Sequence, residues 1–125
     1  APLLSIPQVR TLAYLHHSPG SCLFPLAEHL GVTRPTASAI VERLVRRGMV
    51  SRTEDPRERR RVVLRLTPLG LEHFRRTRRA TQNWMATVLS RLSSADLRRV
   101  MKGVAALRVS FDGAVTRNGR NERAE

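Results

Sequence analysis

The segment Leu26-Ala27-Glu28-His29-Leu30-Gly31-Val32-Thr33-Arg34-Pro35-Thr36-Ala37-Ser38 decides how the rest of the chain is read. Leu26, Ala27 and Leu30 give a short helix, about 25–30, with one apolar face. Pro25 suits its start, and Gly31 stops it. Gly31 permits a tight bend, and Val32 points inward to hold the flanking helices together. Thr33 is a natural N-cap for the next helix. Beyond it Ala37, Ile40, Val41 and Leu44 recur at i, i+3, i+4 and i+7, a single buried stripe. Helix, glycine turn, helix is a helix-turn-helix. The free faces of its second helix carry Arg34, Pro35, Thr36, Ser38, Ala39 and Arg43. These are short or arginine side chains, able to approach bases and phosphates closely.

Upstream, Ile6, Val9, Leu12, Ala13 and Leu15 predict a helix over 6–17, with Ser5 as N-cap and Pro7 in its first turn. Ser18-Pro19-Gly20-Ser21 breaks it. Downstream, Gly48 ends the third helix. Residues 49–52 and 61–66 then read as two strands of a hairpin whose loop, 53–60, is highly charged. Thr67 caps, and Pro68 opens, a long helix over about 68–91 that carries Leu71, Phe74, Met85, Val88 and Leu92 with Trp84 beside them. Ser93 or Ser94, with Asp96 closing a capping box, starts a last helix. Its stripe is Leu97, Val100, Met101, Val104, Leu107 and Phe111. The expected fold is mainly α with a small β-hairpin (α+β): a winged helix-turn-helix with long C-terminal dimerisation helices. The expected division is a DNA-binding domain at 1–67 with its wing at about 49–66, dimerisation helices at 68–111, and a polar tail at 112–125 without regular structure.

A polar face on a helical hairpin could be merely solvated, so the wing is what decides. Residues 52–65 hold six arginines (52, 57, 59, 60, 61, 65) against three acids (54, 55, 58). A purely structural hairpin has no reason to concentrate guanidinium groups, whereas an arginine on such a tip suits the negative minor groove. Thr33 and Thr36, at a helix N-terminus, make a phosphate seat.

Composition agrees. Of 125 residues, 23 are Lys or Arg against 10 Asp or Glu, a formal net charge of +13, and 22 of the 23 cations are Arg. Such a chain calls for a polyanion, and arginine favours bidentate contacts to phosphate and guanine. With 41% hydrophobic residues there is enough for a small core. No apolar run reaches the length of a membrane span. Pro7, Gln8 and Arg10 interrupt any signal-peptide pattern. One cysteine, Cys22, cannot form an internal disulfide and fits a reducing compartment. Flanked by Leu23 and Phe24, with no basic neighbour in sequence, it reads as a buried, inert thiol. No nucleophile elbow, Gly-rich phosphate loop or carboxylate pair marks an enzyme. The four histidines (16, 17, 29, 73) lack metal-ligand spacing, so neither a metal nor a cofactor is expected.

The quoted segment resembles the helix-turn-helix of the MarR family. So do Val41-Glu42-Arg43-Leu44 with Gly48-Met49-Val50 and Arg52. The wing Asp55-Pro56-Arg57-Glu58-Arg59-Arg60, followed by Leu66-Thr67-Pro68-Leu69-Gly70, is similar to the family's wing and the entry to its long helix. The resemblance covers roughly residues 6–92. It implies a cytoplasmic homodimer that regulates transcription, a repressor on a pseudo-palindromic double-stranded operator, with a further helix ahead of Ser5. It implies DNA contacts from Thr33, Arg34, Pro35, Thr36, Ser38 and Arg43 on the helix and from Arg57, Arg59 and Arg60 on the wing. The family's wing pairs an Asp with an Arg two residues on. Here those positions are Glu58 and Arg60, with Asp55 and Arg57 as a second pair of the same spacing. Arg75, Arg76, Arg78 and Arg79 on the long helix read as an exposed face that adds to the field.

The resemblance further implies a small aromatic or anionic effector that relieves DNA binding, with Arg10, Tyr14, His17 and Phe74 as candidate cleft residues. Tyr14 and Phe74 read equally as core packing. Two alternatives remain at this level: a sequence-blind architectural DNA binder, and a winged-helix protein–protein interaction module, which would want a neutral wing.

Overall fold

The computed structural model describes residues 3–58 and 60–124, with side chains through residue 113. In chain order the elements are α1 (Ile6–His17), α2 (Leu23–Leu30), α3 (Arg34–Arg46), β1 (Val50–Glu54), β2 (Val62–Leu66), α4 (Pro68–Leu89) and α5 (Ser94–Ala124). This is the expected winged helix-turn-helix. Two compact units divide the chain, residues 1–81 and 82–125. The division falls inside α4 rather than at its start, because Gly70 and Phe74 are buried with the first unit.

In the first unit, Leu12, Leu15, Leu26, Leu30, Val41, Leu44, Met49, Val50, Leu64 and Phe74 form one core cluster. α1 reaches it by a face that differs from the expected stripe. Gln8, Thr11, Leu12 and Leu15 are buried, while Ile6 is 77% exposed. A capping box explains the rotation. The Ser5 N–H donates to Gln8 Oε1 at 2.9 Å, and Ser5 Oγ accepts from the Gln8 N–H at 3.3 Å, so Gln8 is buried with its polar atoms satisfied. Thr11 is buried on the same terms, its hydroxyl donating to the Pro7 carbonyl at 2.8 Å.

α2 starts at Leu23, with Cys22 as N-cap, rather than at Pro25. Pro25 is tolerated in the first turn because the amide it lacks would have no helical partner there. Gly31 then adopts φ 69°, the left-handed C-cap that sets the α2–α3 bend. The strands pair antiparallel, Val50 with Leu66 and Glu54 with Val62. Their root is held from the other side. The Gly20 N–H donates to the Leu64 carbonyl at 3.0 Å, and the Leu64 N–H to the Ser21 carbonyl at 2.8 Å. The α1–α2 loop thus fixes where the wing leaves the core. At the base of the hairpin Thr67 donates to the Gly48 carbonyl, and its Oγ1 accepts from the Gly70 N–H at 3.1 Å. A Cβ at Gly70 would stand 2.0 Å from the Met49 carbonyl oxygen, so only glycine lets α4 begin against that backbone.

In the second unit, the Ser93 hydroxyl caps α5, accepting from the Asp96 N–H at 3.1 Å, and Arg99 pairs with Asp96 at 3.2 Å. None of its described side chains is buried. α5 runs to Ala124, which corrects the expected irregular tail from 112. That stretch is polar but contains no proline, and its glycines cost a propagating helix only about 1 kcal/mol each. Glu125 lies outside the described residues. No described helix is long and apolar enough to cross a membrane.

Candidate nucleic-acid interface

α3 is set by Thr33, whose Oγ1 accepts from the Thr36 N–H at 3.3 Å and donates to the Thr36 hydroxyl at 3.0 Å. Ala37, Val41 and Leu44 face the core. Arg34, Pro35, Thr36, Ala39 and Arg43 are all exposed, as a helix with that buried line requires. Ser38 departs from the expected free face. It is half-buried and lines a small cavity of about 170 Å³ with Leu23, Val41, Arg52, Val62 and Leu64. One residue past Ala37 and three before Val41, it borders the buried stripe and turns toward the wing.

A brace ties helix to wing. Arg52 of β1 contacts Glu42 of α3 at 2.7 Å, and Arg46 shares that carboxylate at 3.6 Å. Arg46 continues the exposed line of Ala39 and Arg43. Its spacing was visible in the sequence, but neither it nor Glu42 stood among the candidates.

The wing tip is organised by Asp55. Its Oδ1 accepts from the Arg57 N–H at 2.9 Å, and its own N–H donates to the Arg61 carbonyl at 2.8 Å. The Arg61 N–H donates to the Glu58 carbonyl at 2.9 Å. The acid thus shapes the backbone of the turn. Among the described residues no ion pair joins Glu58 to Arg60 or Asp55 to Arg57, and Arg57 and Arg60 project exposed from the tip. Arg59 lies outside the described residues.

The base of the tip folds back over the start of α2. Arg61 Nε donates to Cys22 Sγ at 2.8 Å. Chiefly the hydrogen bond to that sulfur, with electrostatic attraction from Cys22, Asp55 and Glu58 behind it, holds the Arg61 guanidinium above its ordinary pKa. Cys22 is therefore half-buried against a cation, not an isolated thiol. The two residues are 39 apart in sequence, which hid the contact. Between wing and helix opens a groove lined by Cys22, Phe24, Arg34, Glu58, Arg60 and Arg61. It gathers three guanidinium groups from α3 and the wing around one carboxylate.

The four residues expected to line an effector cleft fall into two groups. Arg10 donates to the His29 and Leu30 carbonyls at 3.1 and 3.5 Å, at the negative end of α2. Tyr14 stacks on His29 at 4.8 Å and shares a hydrogen bond with Ser21 at 3.1 Å. Phe74 is core, with His16 stacked on it at 4.5 Å and His17 edge-on at 6.4 Å. None of the four lines the cavity of about 390 Å³ formed by Leu15, His16, Pro19, Arg65, Leu66 and Leu71 with neighbouring Thr67 and Pro68. Arg10 and Tyr14 turn to the C-terminal end of α2, whereas His17 stays exposed beside Phe74. Arg75, Arg78 and Arg79 are exposed on α4, and Arg76 pairs with Glu72 at 2.6 Å.

Known proteins share this architecture. A family model described as MarR family matches residues 4–61. The solved structure of the PcaV transcriptional regulator from Streptomyces coelicolor, in complex with its natural ligand, is 30% identical. That match covers 89% of this chain and 77% of PcaV, with a TM-score of 0.62. YfiV of Bacillus subtilis, an uncharacterized HTH-type transcriptional regulator, is 25% identical over 89% of this chain and 69% of its own length. FabT of Streptococcus pneumoniae, solved in complex with DNA, shares the fold at 23% identity. The match covers 88% of this chain and 77% of FabT, with a TM-score of 0.73. Helix-turn-helix, wing and long following helix are thus a shared architecture, and the chain belongs to the MarR family of winged helix-turn-helix transcriptional regulators.

Proposed function

We propose that the protein binds double-stranded DNA sequence-specifically as a homodimer, and that it represses transcription until a small molecule releases it. One observation carries the DNA reading: Arg34 of α3 and Arg60 and Arg61 of the wing line one basic groove, and Thr36, Ala39 and Arg43 on α3 and Arg57 on the wing are exposed as well. An α-helix fits the major groove, and a cationic hairpin tip fits the adjoining minor groove or its phosphates. FabT, of the same fold, has been solved in complex with DNA. Thr33 and Arg34 at the N-terminus of α3 seat a phosphate, and Arg43 reaches base edges.

The second copy is argued from the second unit. Trp84, Met101, Val104, Leu107 and Phe111 are exposed there, each by more than half of its surface. Apolar stripes of this length call for a partner, and a two-fold partner presents two recognition helices. The effector reading draws on PcaV, solved with its natural ligand, and on the cavity beside His16 and Arg65, whose imidazole and guanidinium suit an anion. No enzymatic role is proposed.

Selection on random duplex DNA in competition with non-specific DNA tests the whole. The expected result is a pseudo-palindrome with half-sites about 10 bp apart, bound by a species of twice the monomer mass. Uniform affinity for all sequences would favour the architectural alternative.

A further inference from the structure

Phe24 has no role in any assignment above. It sits in the first turn of α2 with 48% of the residue's surface exposed, and it does not join the core cluster that its neighbour Leu23 packs against. A half-exposed phenylalanine contributes little to folding. What it does have is a cation over its face: the Arg34 guanidinium carbon lies 4.4 Å from the ring centroid. Arg34 is the first residue of α3, exposed, and in no ion pair among the described residues. Arg46 and Arg52, by contrast, are both tied to Glu42. Both Phe24 and Arg34 line the groove that Arg60 and Arg61 close from the wing side.

We infer that Phe24 is a positioning residue for DNA binding: its ring holds the Arg34 guanidinium at the N-terminal end of the recognition helix in the pose that contacts DNA. This rests on the DNA-binding reading proposed above. The physical reason is the geometry of arginine. Stacking uses the face of the planar guanidinium and leaves its N–H edge free for a phosphate or guanine. A free arginine must lose its side-chain entropy on docking, whereas one already held on a ring loses less. A carboxylate would also hold Arg34 but would compete with DNA for its N–H groups and repel the phosphates. An aromatic ring does neither.

The test is a double-mutant cycle on the full chain, titrated against the duplex recovered by selection. Arg34→Ala should weaken binding about tenfold. Phe24→Leu should weaken it about fivefold, the scale of an exposed cation–π contact, while Phe24→Tyr stays within about twofold because the ring face is kept. In the Arg34→Ala background, Phe24→Leu should cost almost nothing. The urea midpoint of Phe24→Leu should match the unsubstituted protein, since Phe24 is outside the core. Rescue by Tyr and loss of the effect without Arg34 are outcomes that a packing role would not give. An equal cost of Phe24→Leu in both backgrounds, no cost in the unsubstituted background, or no cost of Arg34→Ala would each overturn the inference while leaving a DNA-binding protein. Failure of selection to enrich any duplex would instead overturn the reading it rests on, and the inference with it.

Discussion

Residues 1–81 and 82–125 carry the same kind of sequence signal and use it in opposite ways. In both, apolar residues recur at helical spacing. In the first unit Leu12, Leu15, Leu26, Val41 and Leu44 vanish into one core. In the second, Trp84, Val88, Leu92, Val100, Val104 and Leu107 all stay exposed on the single chain. Periodicity reports that a helix face is apolar; it does not report what covers that face. The first unit has a helix-turn-helix and a hairpin folding over the same residues. The described residues of the second form the end of α4 and α5. An exposed stripe of this kind is the face that the proposed second copy would cover.

The largest way to break the comparison is to damage the unit that is complete. Gly70→Ala places a methyl 2.0 Å from the Met49 carbonyl oxygen, which belongs to backbone and cannot rotate away. We expect a loss of about 3 kcal/mol in urea unfolding. A loss under about 1 kcal/mol would mean that α4 can start elsewhere.

The matching break in the other unit should leave the winged unit folded. Met101→Glu puts a charge in the middle of the α5 stripe, where the single chain leaves Met101 64% exposed. On an isolated chain it should change stability by less than about 0.5 kcal/mol. Within a dimer interface it should raise the dissociation constant about a hundredfold, or about 2.7 kcal/mol. Sedimentation at several concentrations separates the two. An unchanged mass would remove the second copy as the cover of this face.

These pairs also show what was legible in the sequence. Caps and stops were, because they are local. Ser5, Gly31, Thr33, and Thr67 before Pro68 each act on neighbours within a turn, and each does so where expected. Orientation was less so. Ile6 and Gln8 compete for the buried face of α1, and a reciprocal hydrogen bond decides for the polar residue. Ser38 borders a stripe whose edge is set by the wing, an element 12 or more residues downstream. Contacts such as Arg61 with Cys22, or Arg34 with Phe24, join segments through the fold alone. Arg10 and Tyr14 meet the end of α2 while His17 meets Phe74 for the same reason: a shared helix face does not fix which neighbour each side chain meets.

Within the interface, helix and wing should fail differently, and this sharpens the first unit's two roles. Arg43→Ala, on the exposed face of α3, should cost about 1–2 kcal/mol and flatten the preference among base sequences. Arg60→Ala, on the wing, should weaken binding to all sequences alike. It should also reduce the slope of log K against log salt by about one unit for each phosphate left without its cation. A specificity change from Arg60→Ala with an intact slope would place the wing on bases instead.

The smallest effect concerns the two wing acids. The family resemblance assigns the orienting acid to Glu58, but the structure gives the organising hydrogen bond to Asp55, through Oδ1 to the Arg57 N–H at 2.9 Å. Charge and geometry then make separable demands. Any carboxylate on the wing repels phosphate, so neutralising one should tighten binding slightly. The turn, however, needs an acceptor at residue 55. Asp55→Asn keeps that acceptor and loses the charge, so affinity should hold or rise. Asp55→Ala loses both, and the loosened tip should cost about 1 kcal/mol of binding. Glu58→Gln removes charge from a side chain that lines the groove beside Arg60 and Arg61 without an ion pair to Arg60, so it should tighten binding by a few tenths of a kcal/mol, on the order of an exposed charge interaction. All four proteins are titrated against one duplex at one salt concentration. If Glu58→Gln binds more weakly while Asp55→Ala is unchanged, the Glu58 carboxylate orients Arg60 on DNA after all, and the turn bond seen at Asp55 belongs only to the free protein.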